Sequence, residues 1–368
     1  MQNDQLLKNE ERAVIALRAL YQSYGYLPYK MSRFEEYELY ARNKDFLLSD
    51  RVITFTDTNG RLMALKPDVT LSILQKGEEN PGCKRKVCYN ENVYRVSRRS
   101  GQFKEIMQTG LECIGDVDGY DVFEAVELAA KSLALIGPEY VLELSHLGVV
   151  SALLEAAGGG EEFRRSALEA LSQKNAHDLA RICEENGVSA ECAQRLAGLV
   201  TIYGSRGPAL QKRRELCGEL AGEALAELEQ LSALLDAAGL GDEVVLDFSV
   251  VNHMDYYNGI VFRGFLQGLS QSVLAGGRYD RLMRRMGRSQ GAVGFALYLD
   301  RLDQLRSPRP EWDVQVLLLY ENETPAAAVA AAVQKLRAEG KSVSAQKAVP
   351  PKLRYQECIR LDKEGKPC

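Results

Sequence analysis

Several short clusters of polar residues in this sequence could bind a small ligand. In the first cluster, Asp68 and Thr70 lie two positions apart just after a predicted strand. A carboxylate and a hydroxyl at this spacing can both face one cavity and bind an ammonium group. Because Pro67-Asp68 is also a common pair in turns, a surface turn is the simpler interpretation of this cluster alone.

The second cluster lies on the predicted strand 103–114, where Gln108 and Glu112 share one face because alternate side chains of a strand point the same way. Burying both side chains would cost free energy without a polar ligand or partner. Gly110, between them, would leave room for a small molecule above the sheet. A ligand site and the solvated face of an edge strand both fit this pattern.

The third cluster is the segment from Asp255 to Tyr257, in which two phenolic hydroxyls stand beside a carboxylate and could frame a small polar ligand. Turn residues leading into a strand are the alternative interpretation. His253 precedes this segment, but no serine or cysteine nucleophile accompanies it at a recognisable spacing. We therefore interpret His253 as a neighbour of the site.

The fourth cluster runs from Gly276 to Asp280. Its two glycines would allow a ligand or a second backbone to approach closely. The segment matches neither the dinucleotide-binding fingerprint nor a P-loop, so neither of those nucleotide sites is supported.

The elements that carry these clusters are alternating strands with few helices, which predicts an α+β fold and not a βαβ array. Asn59-Gly60, between two strand-like runs, is a strong hairpin signal. The predicted elements of this part are helix 10–24, ended by Gly25, strands 51–57, 62–65, 86–89, 92–97 and 103–114, and helix 122–135.

The composition divides the chain into four segments. Residues 1–144 form the first part of the core, 145–242 a helical insertion rich in Ala, Leu and Glu, and 243–306 the second part of the core. After a proline-containing linker, residues 311–368 are predicted to form a short βαβ unit with a polar tail. The remaining predicted elements are strands 244–248, 259–265, 313–320 and 342–346, helix 325–339, and a strand leading into a helix over 291–305.

The overall composition argues against several classes of protein. A net charge of −5 is unlike the basic surface of a dedicated nucleic-acid-binding protein. The eight cysteines are scattered without a CxxC pair, so we expect free thiols in a reducing cytoplasm and no metal site. The N-terminus lacks an apolar signal core, and no apolar run approaches the ~20 residues that a membrane span needs.

Taken in order, five segments resemble the catalytic core of class II aminoacyl-tRNA synthetases, most closely the histidine-specific enzymes. Five segments in one order are far more specific than any one alone. The resemblance implies a mainly antiparallel sheet flanked by helices, a helical insertion at the family's position, and assembly as a dimer. The matching segments are LKPDVT (65–70), YR with GQFKEIMQTGLECIG (94–115), MDYYNGIVF (254–262), AGGRYD (275–280) and AVGFALYLDRL (292–302).

The resemblance also implies a role for each matching residue. Asp68, Thr70 and Gln108 would hold the amino group of bound histidine. Glu112 and Tyr257 would read the imidazole, whose two nitrogens a carboxylate and a phenol can satisfy together. The residues expected beside this pocket are Asp255, Tyr256, Gly276, Gly277, Arg278, Tyr279 and Arg301.

The departures from the family pattern concern the nucleotide. Arg95 is kept and would face the carboxylate or a phosphate, but Asn252 stands where the family has an arginine that stabilises charge at the α-phosphate of ATP. Removing one such stabiliser typically costs ~10²–10³ in rate. The other departures are Ser97 for an acidic residue, Ile106 for an aromatic that packs on adenine, Lys104 for an arginine, and Ser32 for the proline of the first class II motif.

An amino-acid pocket that is kept beside an altered adenylation site is similar to the regulatory subunits of ATP phosphoribosyltransferase. The segment after Pro310 is also shorter than a full anticodon-binding domain. The resemblance implies a non-catalytic, histidine-sensing subunit that joins a short-form catalytic subunit, as a homodimer within a hetero-oligomer, in the first step of histidine biosynthesis. It implies no cofactor, no tRNA and no membrane partner. The alternatives are an active histidyl-tRNA synthetase and a stand-alone paralogue that forms histidyl-adenylate or modifies another protein.

Overall fold

The computed structural model describes residues 9–43, 47, 52–75, 82–96, 101–251, 256–304 and 311–368. The chain divides into two units, Met1–Leu305 and Arg306–Cys368. The described strands of the larger unit are β1 (Leu27–Pro28), β2 (Phe34–Glu36), β3 (Thr54–Thr56), β4 (Leu62–Leu65), β5 (Lys84–Val96), β6 (Phe103–Gly115), β7 (Tyr140–His146), β8 (Tyr203–Ser205), β9 (Val244–Asp247), β10 (Ile260–Leu266), β11 (Leu274–Arg278) and β12 (Gly291–Tyr298).

The described α-helices of the larger unit are mostly in the region between β7 and β9. Two short 3-10 helices, Gly218–Ala221 and Leu299–Gln304, accompany them. The α-helices are α1 (Asn9–Ser23), α2 (Tyr37–Arg42), α3 (Val69–Gln75), α4 (Gly119–Ile136), α5 (Leu147–Ala157), α6 (Glu161–Ser172), α7 (Ala176–Glu185), α8 (Ala190–Val200), α9 (Arg206–Cys217), α10 (Gly222–Ala237) and α11 (Asp280–Arg285). None of the helices in the described part of the chain is long and apolar enough to cross a membrane.

Nine strands form one sheet in the order β1-β5-β6-β12-β11-β10-β7-β9-β8. Neighbours pair antiparallel, except that β1 is parallel to β5 and β7 is parallel to β9. β6 therefore has a partner on both sides, and its residues Gln108 and Glu112 are only 3% and 2% exposed. This arrangement excludes the solvated edge strand as an explanation of the second polar cluster. Strands β2, β4 and β3 form a separate antiparallel sheet.

The two faces of the large sheet have different partners. Leu111, Phe262 and Phe295 belong to the main core, which also contains buried residues of α1 and α4. Tyr21 of α1 packs edge-on against Phe295, with 5.9 Å between the ring centroids. Because side chains alternate along a strand, Glu112 and Gly294 point to the opposite face. The candidate site lies on that face.

The predicted α+β fold is confirmed, since the sheet is mainly antiparallel and helices flank it. The hairpin expected at Asn59-Gly60 joins β3 to β4, and Gly60 has the positive φ of 81° that such a turn requires. The first helix ends at Ser23, followed by Gly25 at φ 81°, as the sequence predicts.

Two local predictions were wrong. Residues 86–89 and 92–97 are expected as separate strands, but β5 continues through Asn90 and Glu91, which pair with Thr109 and Gln108 of β6. Pairing along a long neighbouring strand outweighs the local preference of Asn and Glu for turns. The region expected to be a helical insertion also supplies β8, which pairs with β9 at the edge of the large sheet.

The smaller unit has a parallel three-stranded sheet in the order β14-β13-β15, where these strands are Val343–Gln346, Val314–Leu319 and Tyr355–Arg360. The helix α12 (Ala326–Ala338) connects β13 to β14. The predicted βαβ unit is therefore present, but the tail expected to be only polar contains β15. This strand is mostly exposed and rich in polar residues, so its sequence lacks the apolar pattern of a buried strand.

The cap of α4 offers a test of how this fold is stabilised. The side chain of Asp118 accepts hydrogen bonds from the backbone N–H groups of Tyr120 and Asp121. The backbone N–H of Asp118 in turn donates to the Asp121 carboxylate. We expect Asp118→Ala to lower the free energy of unfolding by about 1 kcal/mol. Asp118→Asn should retain most of the stability, because asparagine also caps helices. Urea unfolding measures both, and equal losses in the two variants would contradict the capping role.

Candidate functional site

A cavity of about 310 Å³ lies against the large sheet. It brings together all six residues that the sequence assigns to a ligand, although they come from four separate parts of the chain. Tyr256, Gly276, Tyr279 and Arg301, expected nearby, also line it. The six residues are Asp68, Thr70, Arg95, Gln108, Glu112 and Tyr257.

The floor of the cavity follows from the register of five neighbouring strands. One row of directly paired residues runs Arg263, Ala275, Ala296, Gly110 and Tyr89 across the sheet. Paired residues point to the same face, so this row has small side chains in its middle and large ones at both ends. Ala275 and Ala296 leave space above the sheet for a ligand.

Gly110 has a different role from the one expected. A Cβ atom at this position would lie 2.6 Å from the Tyr89 hydroxyl and would overlap the carbonyl oxygen of Phe295. The Tyr89 hydroxyl donates to that same carbonyl at 3.4 Å. The space above Gly110 is therefore occupied by the Tyr89 side chain, and the room expected there for a small molecule is not present.

Glu112 is the buried carboxylate at the centre of the site. Its Oε1 accepts a hydrogen bond from the Thr70 hydroxyl at 2.7 Å, and its Oε2 accepts one from the Tyr279 hydroxyl at 2.6 Å. A side chain on Gly294 of the adjacent strand would overlap this carboxylate. Burial raises the pKa of Glu112 to about 8, although both hydrogen bonds oppose the shift.

Asp68 stands at the start of α3, where its Oδ1 accepts from the backbone N–H of Leu71 at 2.9 Å. Burial raises its pKa, while hydrogen bonds from Leu71 and Thr70 and the charge of Arg95 act in the opposite direction. Two carboxylates, Asp68 and Glu112, thus line one cavity, and each raises the cost of ionising the other. A cationic ligand would relieve that cost.

Five tyrosines surround these carboxylates. Tyr256 packs against Tyr257 with 4.7 Å between ring centroids and against Tyr279 with 5.6 Å. The pKa of the Tyr257 phenol is well above its ordinary value because the group is buried, so it remains a hydrogen-bond donor. Tyr89 and Tyr298 complete the group. The site can therefore offer a carboxylate and a phenol to a flat polar ring.

Arg95 and Arg301 of the cavity contact a backbone carbonyl and an aromatic ring, respectively. Arg95 donates from Nε to the carbonyl oxygen of Pro67 at 3.1 Å, and its charge opposes the rise in the pKa of Asp68 that burial causes. The Arg301 guanidinium lies 4.6 Å from the centroid of the Tyr298 ring. Burial raises the pKa of Asp300, and the nearby Arg301, Lys104 and Arg95 oppose that shift.

Two residues expected beside the pocket are placed differently. Arg278 lines a separate cavity with Asp116 and Arg284, and its Nε donates to Asp280 at 2.8 Å. Gly277 does not line the candidate cavity, although a Cβ there would come within 2.9 Å of the Tyr257 ring. Asp255, and also His253, Asn252 and Ser97, lie outside the described residues.

Sequence reasoning missed Tyr89, Arg263 and Tyr298, which also line the cavity. What places each of them in the cavity is its pairing across the sheet. Tyr89 pairs with Gly110, Arg263 with Ala275 and Tyr298 with Gln108. That alignment depends on strand register, which the sequence does not specify.

Two of the residues that depart from the family pattern also lie among the described residues. Ile106 lines the cavity, and the Ser32 hydroxyl accepts from the backbone N–H of Phe34 at 3.3 Å. In the described part of the chain, no group of three His, Cys, Asp or Glu side chains could hold a metal ion.

The buried carboxylate should make stability depend on pH. The folded-state pKa of Glu112, about 8, is above its ordinary value of 4.5, so its contribution is full below pH 4.5 and is lost as the pH rises through 8. Relative to Glu112→Gln, the wild-type free energy of unfolding should fall by about 1 kcal/mol per pH unit between pH 5 and 8. Urea unfolding from pH 5 to 9 measures this difference. Glu161→Gln, on the exposed start of α6, is the control, and a constant difference for Glu112→Gln would contradict the prediction.

Comparisons with known proteins agree with this architecture. A family model described as histidyl-tRNA synthetase matches residues 3–302. An ATP phosphoribosyltransferase regulatory subunit of Clostridium kluyveri is 31% identical over 77% of this chain and 74% of that protein. The subunit of the same description from Moorella thermoacetica is 33% identical over the same shares.

A solved structure from Bacillus halodurans, described as an ATP phosphoribosyltransferase regulatory subunit/histidyl-tRNA synthetase, has the same fold. It is 27% identical and superposes with a TM-score of 0.77, covering 96% of this chain and 94% of its own. The five matching segments, the sheet that carries them and these relatives lead to one conclusion. The chain belongs to the histidyl-tRNA synthetase-like family of ATP phosphoribosyltransferase regulatory subunits.

Proposed function

We propose that this protein is a non-catalytic subunit that binds L-histidine in the cavity around Glu112 and regulates a separate ATP phosphoribosyltransferase catalytic subunit. The observation that carries the proposal is the gathering of a buried carboxylate, a second carboxylate and several phenols in one cavity. The family to which the chain belongs is named for that regulatory role. The complex would be a cytoplasmic hetero-oligomer built on a homodimer of this chain.

The imidazole ring is expected at Glu112 and Tyr257. Each oxygen of the Glu112 carboxylate already accepts one hydrogen bond, from Thr70 or Tyr279, and has a second lone pair for the ligand. Burial keeps the Tyr257 phenol protonated, so it can donate to the other ring nitrogen. A buried site built on such bonds rejects analogues without the polar groups by ~10⁴ or more.

The amino group of histidine is expected at Asp68, Thr70 and Gln108. Asp68 and Gln108 are acceptors that line the cavity beside Glu112, and an ammonium group would offset the cost of their carboxylate and amide burial. Arg95, which donates to the carbonyl oxygen of Pro67 next to Asp68, would face the carboxylate or a phosphate. These assignments would leave the cavity electrically balanced when histidine is bound.

Amino-acid activation is not expected, because the residues that would bind ATP are altered. Asn252 replaces a cation, and Ile106 in the cavity offers no aromatic face to adenine. Lys104 keeps a charge but lacks the bidentate geometry of arginine. A retained histidine pocket would then serve regulation, in which couplings of ~1–3 kcal/mol between sites are typical.

The test is to measure binding and activation of histidine in the same preparation. Calorimetric titration should detect L-histidine binding, and histidine-dependent ATP–pyrophosphate exchange should be absent. Glu112→Gln should weaken binding by about 10- to 100-fold, since a buried hydrogen-bonding group left without its partner costs ~1–3 kcal/mol. Asp116→Asn, in the separate cavity, is the matched control and should bind as the wild type does.

The catalytic subunit then distinguishes the functional alternatives. Added to this protein, it should gain phosphoribosyltransferase activity that responds to histidine in the wild type and not in Glu112→Gln. Robust exchange with tRNA charging would instead identify an active synthetase. Exchange without tRNA charging would identify a histidine-adenylating paralogue.

A further inference from the structure

Arg263 of β10 lines the candidate cavity, yet the proposed function gives it no role. It is paired in register with Glu143 of β7, and its Nε donates to the Glu143 carboxylate at 2.6 Å. Its Nη2 lies 3.7 Å from Asp247 and 3.5 Å from the Ser249 hydroxyl. The Nη1 group has no hydrogen-bond partner among the described residues. Glu143, Asp247 and Ser249 thus contact the Nε and Nη2 groups of Arg263, while its Nη1 group remains available for a ligand in the cavity.

Lys174 completes this group of charges from the turn between α6 and α7. Its ammonium lies 2.8 Å from Asp247 and 4.4 Å from the centroid of the Tyr203 ring. Lys174 has a φ of 54°, the only positive value for a non-glycine residue in the described part of the chain. The surrounding contacts hold this unfavourable backbone conformation. In this conformation the Lys174 ammonium reaches Asp247.

The two cations and two carboxylates of this group balance one another. Asp247 is almost fully buried, at 1% exposed, and Glu143 is 8% exposed, so neither would be stable there without a cation. Burial and the neighbouring Asp247 raise the pKa of Glu143, while Arg263 and Lys174 lower it. With the carboxylates balanced, an anion that approaches from the cavity meets a guanidinium and no excess negative charge.

The other arginines are less suited to the carboxylate of an amino acid. The charges of Arg95 and Arg301 both oppose the rise in the pKa of Asp300. Arg95 has the same effect on Asp68, the residue expected at the ligand's ammonium group. Arg263 lies on the opposite side of a floor made by Ala275 and Ala296. Three strand spacings, or about 14 Å, separate the backbone of Arg263 from that of Gly110 on β6. An extended arginine side chain and an amino acid can together span that width.

We propose that Arg263 binds the α-carboxylate of the amino-acid ligand, with Glu143 and Asp247 positioning its guanidinium and Lys174 balancing their charge. The proposal rests on the proposed function, because it assumes that a histidine-like ligand occupies this cavity. It assigns the carboxylate to Arg263 and leaves Arg95 for a phosphate.

The test compares two ligands that differ only at the carboxylate. L-histidine and L-histidinol, in which a hydroxymethyl group replaces the carboxylate, are titrated calorimetrically into the full-length protein. The ratio of their dissociation constants measures the preference for the carboxylate. Arg263→Gln should reduce this ratio by about 10- to 100-fold and leave histidinol binding within a few fold of the wild type.

Two further variants separate the possible outcomes. Arg284→Gln, which changes an arginine of the separate cavity, is the matched control and should leave the ratio unchanged. If Arg95→Gln removes the preference and Arg263→Gln does not, the proposal is overturned while the histidine site stands. If the wild type binds neither ligand, the proposed function and this inference both fail.

Loss of Arg263 could also leave the buried carboxylates Glu143 and Asp247 without this cation and so destabilise the fold. Arg263→Gln combined with Glu143→Gln removes one of them and should show the same reduced ratio. Lys174→Gln changes a half-exposed residue that touches no ligand, and it should reduce the ratio by about 2- to 5-fold through Asp247. A ratio unchanged in both variants would contradict the proposal.

Discussion

A carboxylate buried in the middle of a nine-stranded sheet is the constraint on which the candidate site depends. Glu112 can occupy its position only if both oxygens have donors, because an unpaired buried carboxylate is very costly. Thr70 of α3 supplies one donor and Tyr279, at the end of β11, supplies the other. Gly294 must also lack a side chain. Three separate parts of the chain are thereby constrained by the Glu112 carboxylate. A ligand that donates to Glu112 would strengthen the same arrangement.

The division of the sheet into two faces explains how a polar cavity coexists with a large apolar core. Residues of one parity, such as Leu111 and Cys113, join the core with α1 and α4, and residues of the other parity, such as Gln108 and Glu112, line the cavity. The same strands therefore provide both stability and the site. A one-residue shift in register would exchange the two sets, so the polar residues of β6 also act against misregistered pairing.

The sequence is sufficient to predict the residue types of the site and most of the elements that carry them. Gln108 and Glu112 share a face because of strand periodicity alone, and Asn59-Gly60 marks its turn through backbone preference alone. Tyr89, Arg263 and Tyr298 could not be identified in this way, because their place in the cavity depends on which residues pair across β5, β6 and β10 to β12. The continuity of β5 and the strand β15 were missed for a related reason, since pairing with neighbours determines both.

The helical region between β7 and β9 is part of the site's electrostatics as well as an insertion. β8 pairs with β9, and Lys174 places its ammonium on Asp247 of that same strand. Asp247 and Glu143 in turn contact Arg263, which lines the cavity. Loss of the Lys174 ammonium would therefore disturb the charge balance around Arg263 without removing any residue that lines the cavity. The insertion thus contributes to the charge balance of the candidate site, although it supplies none of the six residues expected to bind the ligand.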